Sequence, residues 1–150
     1  MLRERFMSDL KEAMKAGDKS RLGTIRLMQA ALKDKDIEAR SAGKGPLSDD
    51  EILQLLQKMV KQRQESAKMY TDGGRPELAE QEGAEIAVIT AYLPKQMDEA
   101  EAKTAIAAVI AETGASGVKD MGKVMGELKA RYAGQMDFGK ASPLVKQLLG

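Results

Sequence analysis

The chain has 150 residues, carries 24 lysines and arginines against 23 aspartates and glutamates, and contains neither cysteine nor histidine. That length fits one ordinary domain or two small ones with modest cores. A net charge near zero gives no global field for a polyanion, and the missing residue types exclude thiolate and imidazole chemistry: no cysteine-based zinc site, no cysteine or histidine nucleophile and no Ser-His-Asp triad.

The amino terminus, MLRERFMSDLKEAMK, mixes both signs of charge, lacks an apolar h-region and is a poor transit peptide; no run in the chain reaches membrane-span length. The expectation is a cytoplasmic protein without membrane contact. Aromatic residues are scarce and no stretch alternates apolar and polar for long, so the chain reads as all-α. A first helix is expected over Leu2 to Ala16, with Leu2, Phe6, Leu10 and Met14 at successive fours and Gly17 as its stop. A second runs from about Lys19 to Arg40 through Leu22, Ile25, Met28, Leu32 and Ile37, and ends in the loop SAGKGP.

Ser48 followed by Glu51 forms a capping box at the start of a third helix reaching about Tyr70. TDGG is a turn, and Pro76 takes the favoured first position of a fourth helix that ends at Pro94. Asp98 with Glu101 starts a fifth, whose apolar side is Ala102, Ala105, Ile106, Val109 and Ile110, and Gly114 closes it. A sixth spans Val118 to Tyr132, and a short last helix begins at Ser142-Pro143. The hinge between two helical units falls at Leu93-Pro94-Lys95-Gln96.

Three charges stand where helical spacing calls for apolar residues: Arg63 on the third helix, and Glu82 and Glu85 on the fourth, with Arg26 at the edge of the second helix's apolar face. One reading is a structural network in which the guanidinium groups meet the two carboxylates between packed helices, because buried charges persist only when paired. The other is a carboxylate pair for acid/base or metal work. Neighbouring arginines lower carboxylate pKa values, and no acidic cluster has metal-loop spacing, so the expected catalytic and metal residues are none. The patterns GxGxxG and GxxxxGK[ST] are both absent, and no cofactor is expected.

In GVKDMGKVMGELKARY, Met121, Val124, Met125, Leu128 and Tyr132 fall on one side of a helix, and Gly122, Gly126 and Ala130 on another. Such a smooth face suits either tight helix packing or approach of an RNA backbone or a partner helix. From Ala115 onward the chain is mildly basic, and Lys119, Lys123, Lys129, Arg131, Lys140 and Lys146 are the candidate phosphate contacts.

The segments KQRQES, GRPELAEQEGAEI, YLPKQM and DMGKVMGELKARYAGQMDFGKASPLVKQLLG together resemble the GatB/YqeY family, small bacterial proteins related to the carboxy-terminal tail of the GatB component of the glutamine-dependent tRNA amidotransferase. The resemblance covers nearly the whole chain. It implies a larger amino-terminal helical domain (1–94), a small carboxy-terminal three-helix bundle (95–150) and engagement of tRNA, or of a tRNA-modifying or aminoacylation enzyme, with neither DNA nor a membrane as partner. It carries over no catalytic residue: carbon-nitrogen ligase activity with glutamine as amide donor would reside in the larger enzyme. A protein-protein adaptor working through Met-bearing helical faces is the alternative, motivated by ten methionines.

Overall fold

Helix starts and stops written into the sequence set the architecture of the computed structural model, which describes every residue from Met1 to Gly150. It contains seven α-helices, one 3₁₀ turn and no strand, in agreement with the all-α expectation. The chain divides into two compact units, Met1–Leu93 and Pro94–Gly150.

In the first unit, α1 (Leu2–Ala16) ends where Gly17 adopts φ 69°, a left-handed conformation that costs a glycine little. The Asp18 side chain accepts from the Arg21 N–H and opens α2 (Lys19–Ser41). A reciprocal capping box between Ser48 and Glu51 opens α3 (Asp49–Asp72). Only Gly73, Gly74 and Arg75 separate it from α4 (Pro76–Thr90), so α3 and α4 form an antiparallel hairpin. The fourth helix stops at Thr90, short of the expected Pro94. Its last turn tightens to i→i+3 bonds, Tyr92 N–H to the Ile89 carbonyl (3.0 Å) and Leu93 N–H to that of Thr90 (3.0 Å), because the residue before a proline is driven out of helical conformation.

The core of this unit joins Leu2 and Phe6 of α1, Met28 and Leu32 of α2, Ile52, Leu56 and Met59 of α3, and Ile89 with Tyr92. Two apolar residues expected inside lie outside: Met14 and Ile37 are 55% and 54% exposed. Steps of four residues drift by about 40° each around a helix, so the row Leu2, Phe6, Leu10, Met14 turns out of the core, and Ala13 is buried instead.

Arg3 and Asp36 lock the ends of this arrangement. The Arg3 guanidinium donates to both Asp36 oxygens (Nη1 to Oδ2 2.7 Å, Nη2 to Oδ1 2.8 Å) and to the Leu47 carbonyl (3.0 Å), while the Leu47 N–H donates back to Asp36 Oδ1 (3.0 Å). One carboxylate therefore ties α1, α2 and the loop before α3 together.

In the second unit, Asp98 and Glu101 form a second capping box at the start of α5 (Glu99–Thr113), and Gly114 ends it at φ 68°. A 3₁₀ turn over Val118–Asp120 leads into α6 (Met121–Tyr132). The last helix, α7 (Phe138–Leu149), begins before the expected Ser142-Pro143: Asp137 caps it by accepting from the Gly139 and Lys140 N–H groups, and Pro143 lies inside. Ile106, Val109, Val124, Leu128, Met136 and Val145 meet in its core.

The Arg3 guanidinium, followed by the Leu47 N–H, pulls the Asp36 carboxyl down from 3.8 to about 2. A carboxylate with a depressed folded-state pKa stabilises the fold above its unfolded pKa and loses that contribution as pH falls through the folded one. Asp36→Asn is expected to destabilise the protein by about 1–2 kcal/mol at neutral pH, after discounting for partial solvent screening. The gap to the parent should close between about pH 4 and pH 2 in denaturant titrations; a gap constant across that range would rule the clamp out.

Candidate functional site

Of the four charges expected to form an interior network, two meet. Arg63 Nε donates to Glu85 Oε2 at 3.1 Å across the α3–α4 hairpin, with the side chains only 16% and 17% exposed, and the Arg63 Nη1 also donates to the Met59 carbonyl. Arg26 is exposed and Glu82 half-buried, and neither has an ion pair. The network of four is thus corrected to a single pair. Arg26 lies about a third of a turn from the buried row Ile25, Met28 and Leu32, far enough to reach water. No three His, Cys, Asp or Glu side chains gather as metal ligands would.

A cluster around Tyr92 was not foreseen from the sequence. The Tyr92 hydroxyl donates to Asp9 Oδ2 (2.5 Å), its ring meets Phe6 edge-on at 5.0 Å, and the Arg5 guanidinium stands 4.6 Å from its centroid. Arg21 approaches Asp9 at 3.8 Å. Burial, and then the hydrogen bond to the Asp9 carboxylate, push the Tyr92 hydroxyl up to about 12. This keeps it a proton donor to Asp9 and fastens the end of α4 to α1; the sequence signal was an isolated tyrosine just before a proline.

The six cations proposed for phosphate contact divide into two groups. Arg131 is engaged by Glu112 (2.5 Å) and Glu127 (2.8 Å), which together hold its pKa above the ordinary value. Lys123 donates to the Thr113 carbonyl (3.1 Å) at the end of α5, where an orphan helix carbonyl needs a partner. Lys119, Lys129, Lys140 and Lys146 are exposed and have no ion pair or side-chain hydrogen bond.

Gly122, Gly126 and Ala130 all face outward, and a Cβ added at either glycine would meet nothing within 4 Å. Tight packing inside the unit is therefore not what these glycines serve. Lys119, Lys123 and Lys129 stand on the same helical stretch. Elsewhere in the unit a cleft of about 630 Å³ opens between the starts of α5 and α7, floored by Met97, Ala102, Met136 and Leu144 and edged by Lys140. Of its three acids, Asp98 and Asp137 already serve as helix caps and Glu99 pairs with Lys103 at 3.3 Å.

The family described as Yqey-like protein matches residues 3–149. Among curated relatives, a protein of Eremothecium gossypii named "Altered inheritance of mitochondria protein 41, mitochondrial" is 36% identical over 85 residues, 57% of this chain and 45% of its own length. A protein of the same name from Pyrenophora tritici-repentis is 28% identical over 149 residues, 97% of this chain and 80% of its own. A third, from Clavispora lusitaniae, is 36% identical over 94 residues, covering 61% and 52% respectively. In the shorter alignments the chain thus spans about half the length of the relative. These fungal proteins overturn the expectation of a bacterial family, and their names mention neither tRNA nor an amidotransferase. Those names are mitochondrial, whereas a cytoplasmic protein was expected; what the fold itself gives is that no helix is long and apolar enough to cross a membrane.

Two stability measurements follow from this geometry. Arg63→Ala, which strands the Glu85 carboxylate, is expected to cost about 1–3 kcal/mol, and the double variant Arg63→Met with Glu85→Leu to recover most of it; a double variant no more stable than the single one would refute the pairing. Gly122→Ala and Gly126→Ala should each raise stability by about 0.5–1 kcal/mol in thermal unfolding, since the space is open and the helix gains. Destabilisation by either would show that the face is packed.

Proposed function

The chain belongs to the Yqey-like protein family, and from that premise we propose that it is a non-catalytic accessory module that holds tRNA through its carboxy-terminal unit. The observation that carries this reading is the outer side of α6 and the turn before it: an exposed glycine and alanine row beside Lys119 and Lys129, whose charges are not engaged within the protein. Two glycines in an exposed helix lower stability without any compensating internal contact, while their lack of side chains lets a sugar-phosphate backbone come close. The recognition is of shape and phosphate. Tyr132 and Phe138 are the aromatic residues of this unit, and both pack partly buried against its core, so neither offers a free stacking platform.

Amide-forming chemistry belongs, in this reading, to a larger enzyme with which such a module works. Both the cytoplasm and the mitochondrial interior contain tRNA, so the reading holds in either compartment. Lys123 and Arg131, held in the fold, act as supports for α5 and α6 and not as primary phosphate contacts.

Binding of total tRNA to the purified protein across a salt series tests this. The expected result is affinity that falls steeply with salt, and a Lys119→Glu, Lys129→Glu double variant that binds about tenfold or more weakly, with a shallower salt slope, while its helical circular dichroism is unchanged. Absence of binding at low salt, or equal binding by the double variant, would sink the proposal. Nuclease-insensitive capture of protein partners would then favour an adaptor using the exposed Met7, Met14 and Met69.

A further inference from the structure

The outer face of α2 carries a pattern that the fold does not use. Gly23, Ala30 and Ile37 recur at intervals of seven residues along one line, all exposed, and Leu27 lies beside them. Leu27 and Ile37 are 46% and 54% exposed although the opposite face of the same helix is buried through Ile25, Met28 and Leu32. Along one flank of this line run Arg26, Lys33 and Arg40, again at intervals of seven, about 10 Å apart along the helix axis. None of the three has an ion pair or a side-chain hydrogen bond, and all are exposed. On the other side Asp34 falls between Ala30 and Leu27 on the face itself, and Glu38 lies beyond the Leu27 line, paired with Lys35 at 3.0 Å.

Over two such intervals a straight helix drifts by only about 40°, so these residues share one face on which a second helix can lie along its length. The unpaired cations run along one edge only, and the opposite side holds Asp34 and the Lys35-paired Glu38. An anionic bilayer would be met better by cations on both edges, and would repel the unpaired Asp34. A sugar-phosphate backbone would leave Leu27 and Ile37 without an apolar counterpart. We propose that this face docks an amphipathic helix of a partner protein, one with apolar residues in a heptad seam and a row of carboxylates lying against Arg26, Lys33 and Arg40. Gly23 and Ala30 leave room for large seam residues of the partner, and Ile37 fills the other end.

The surface lies within Met1–Leu93 and its support is independent of the tRNA reading, so each can fail alone. The test is binding of the whole chain to two synthetic helical peptides with the same Leu and Ile seam, one with Glu in the row facing the cations and one with Lys there, followed by fluorescence anisotropy. The Glu peptide is expected to bind about tenfold or more tightly than its Lys isomer, and the triple variant Arg26→Glu, Lys33→Glu, Arg40→Glu to invert that preference. Ile37→Ser should weaken the Glu peptide while leaving circular dichroism unchanged, since the side chain is outside the core. Equal binding of both peptides, no binding of either, or a preference that survives the triple variant would overturn the proposal. Binding of phosphatidylglycerol vesicles or tRNA that the triple variant loses, in the absence of peptide binding, would likewise overturn it and reassign the face.

Discussion

The Asp36 carboxylate is the point on which the amino-terminal unit closes. Its two oxygens receive the fork of Arg3 and the N–H of Leu47, joining the first turn of α1 to the end of α2 and to the segment that leads into α3. Without that tie the Leu47 N–H and carbonyl, in the loop between α2 and α3, would lose their partners, and the capping box at Ser48 would start from an undefined direction. With it, Ile52 and Leu56 of α3 arrive opposite Leu2 and Phe6. The contribution is directional as much as energetic: the aliphatic core supplies the burial, and one half-exposed ion pair decides how three helices share it.

The same pattern appears wherever a polar side chain enters these small helical units. Arg63 and Glu85 meet at positions placed almost symmetrically about Gly74, where an antiparallel hairpin brings residues face to face. Tyr92 reaches Asp9 and thereby fixes the stretch that links α4 to Leu93 and Pro94. In the second unit Lys123 closes the end of α5 and Arg131 bridges Glu112 and Glu127. Each of these polar groups holds a particular carbonyl or carboxylate, which leaves a smaller set of charges for recognition than composition suggests.

The helix boundaries were readable because they depend on local chemistry. Ser48 with Glu51, Asp98 with Glu101, and glycine at 17 and 114 act within one turn of the chain. Pro143 misled for the same reason: a serine followed by proline resembles a helix start, yet Asp137 provides the cap and the proline sits further along α7. Side-chain partners were less legible. Arg26 and Arg63 look alike as charges near an apolar stripe, but a rotation of roughly a third of a turn separates a residue that must pair from one that reaches water. Nothing local distinguishes Lys119 from Lys123 either; only the Thr113 carbonyl, ten residues away in sequence from Lys123, makes the difference.

What the fold leaves unused is therefore more informative than what it uses. An exposed glycine inside a helix lowers that helix's stability, and an exposed isoleucine leaves apolar surface in water, so each is unfavourable locally with no local compensation. Gly122 and Gly126 on α6 and the Gly23, Ala30 and Ile37 line on α2 are such features, and both stand beside cations without intramolecular partners. In the functions proposed for them, both rows are completed from outside the chain: by a sugar-phosphate backbone in close approach on α6, and by a helix with carboxylates against the cation row on α2.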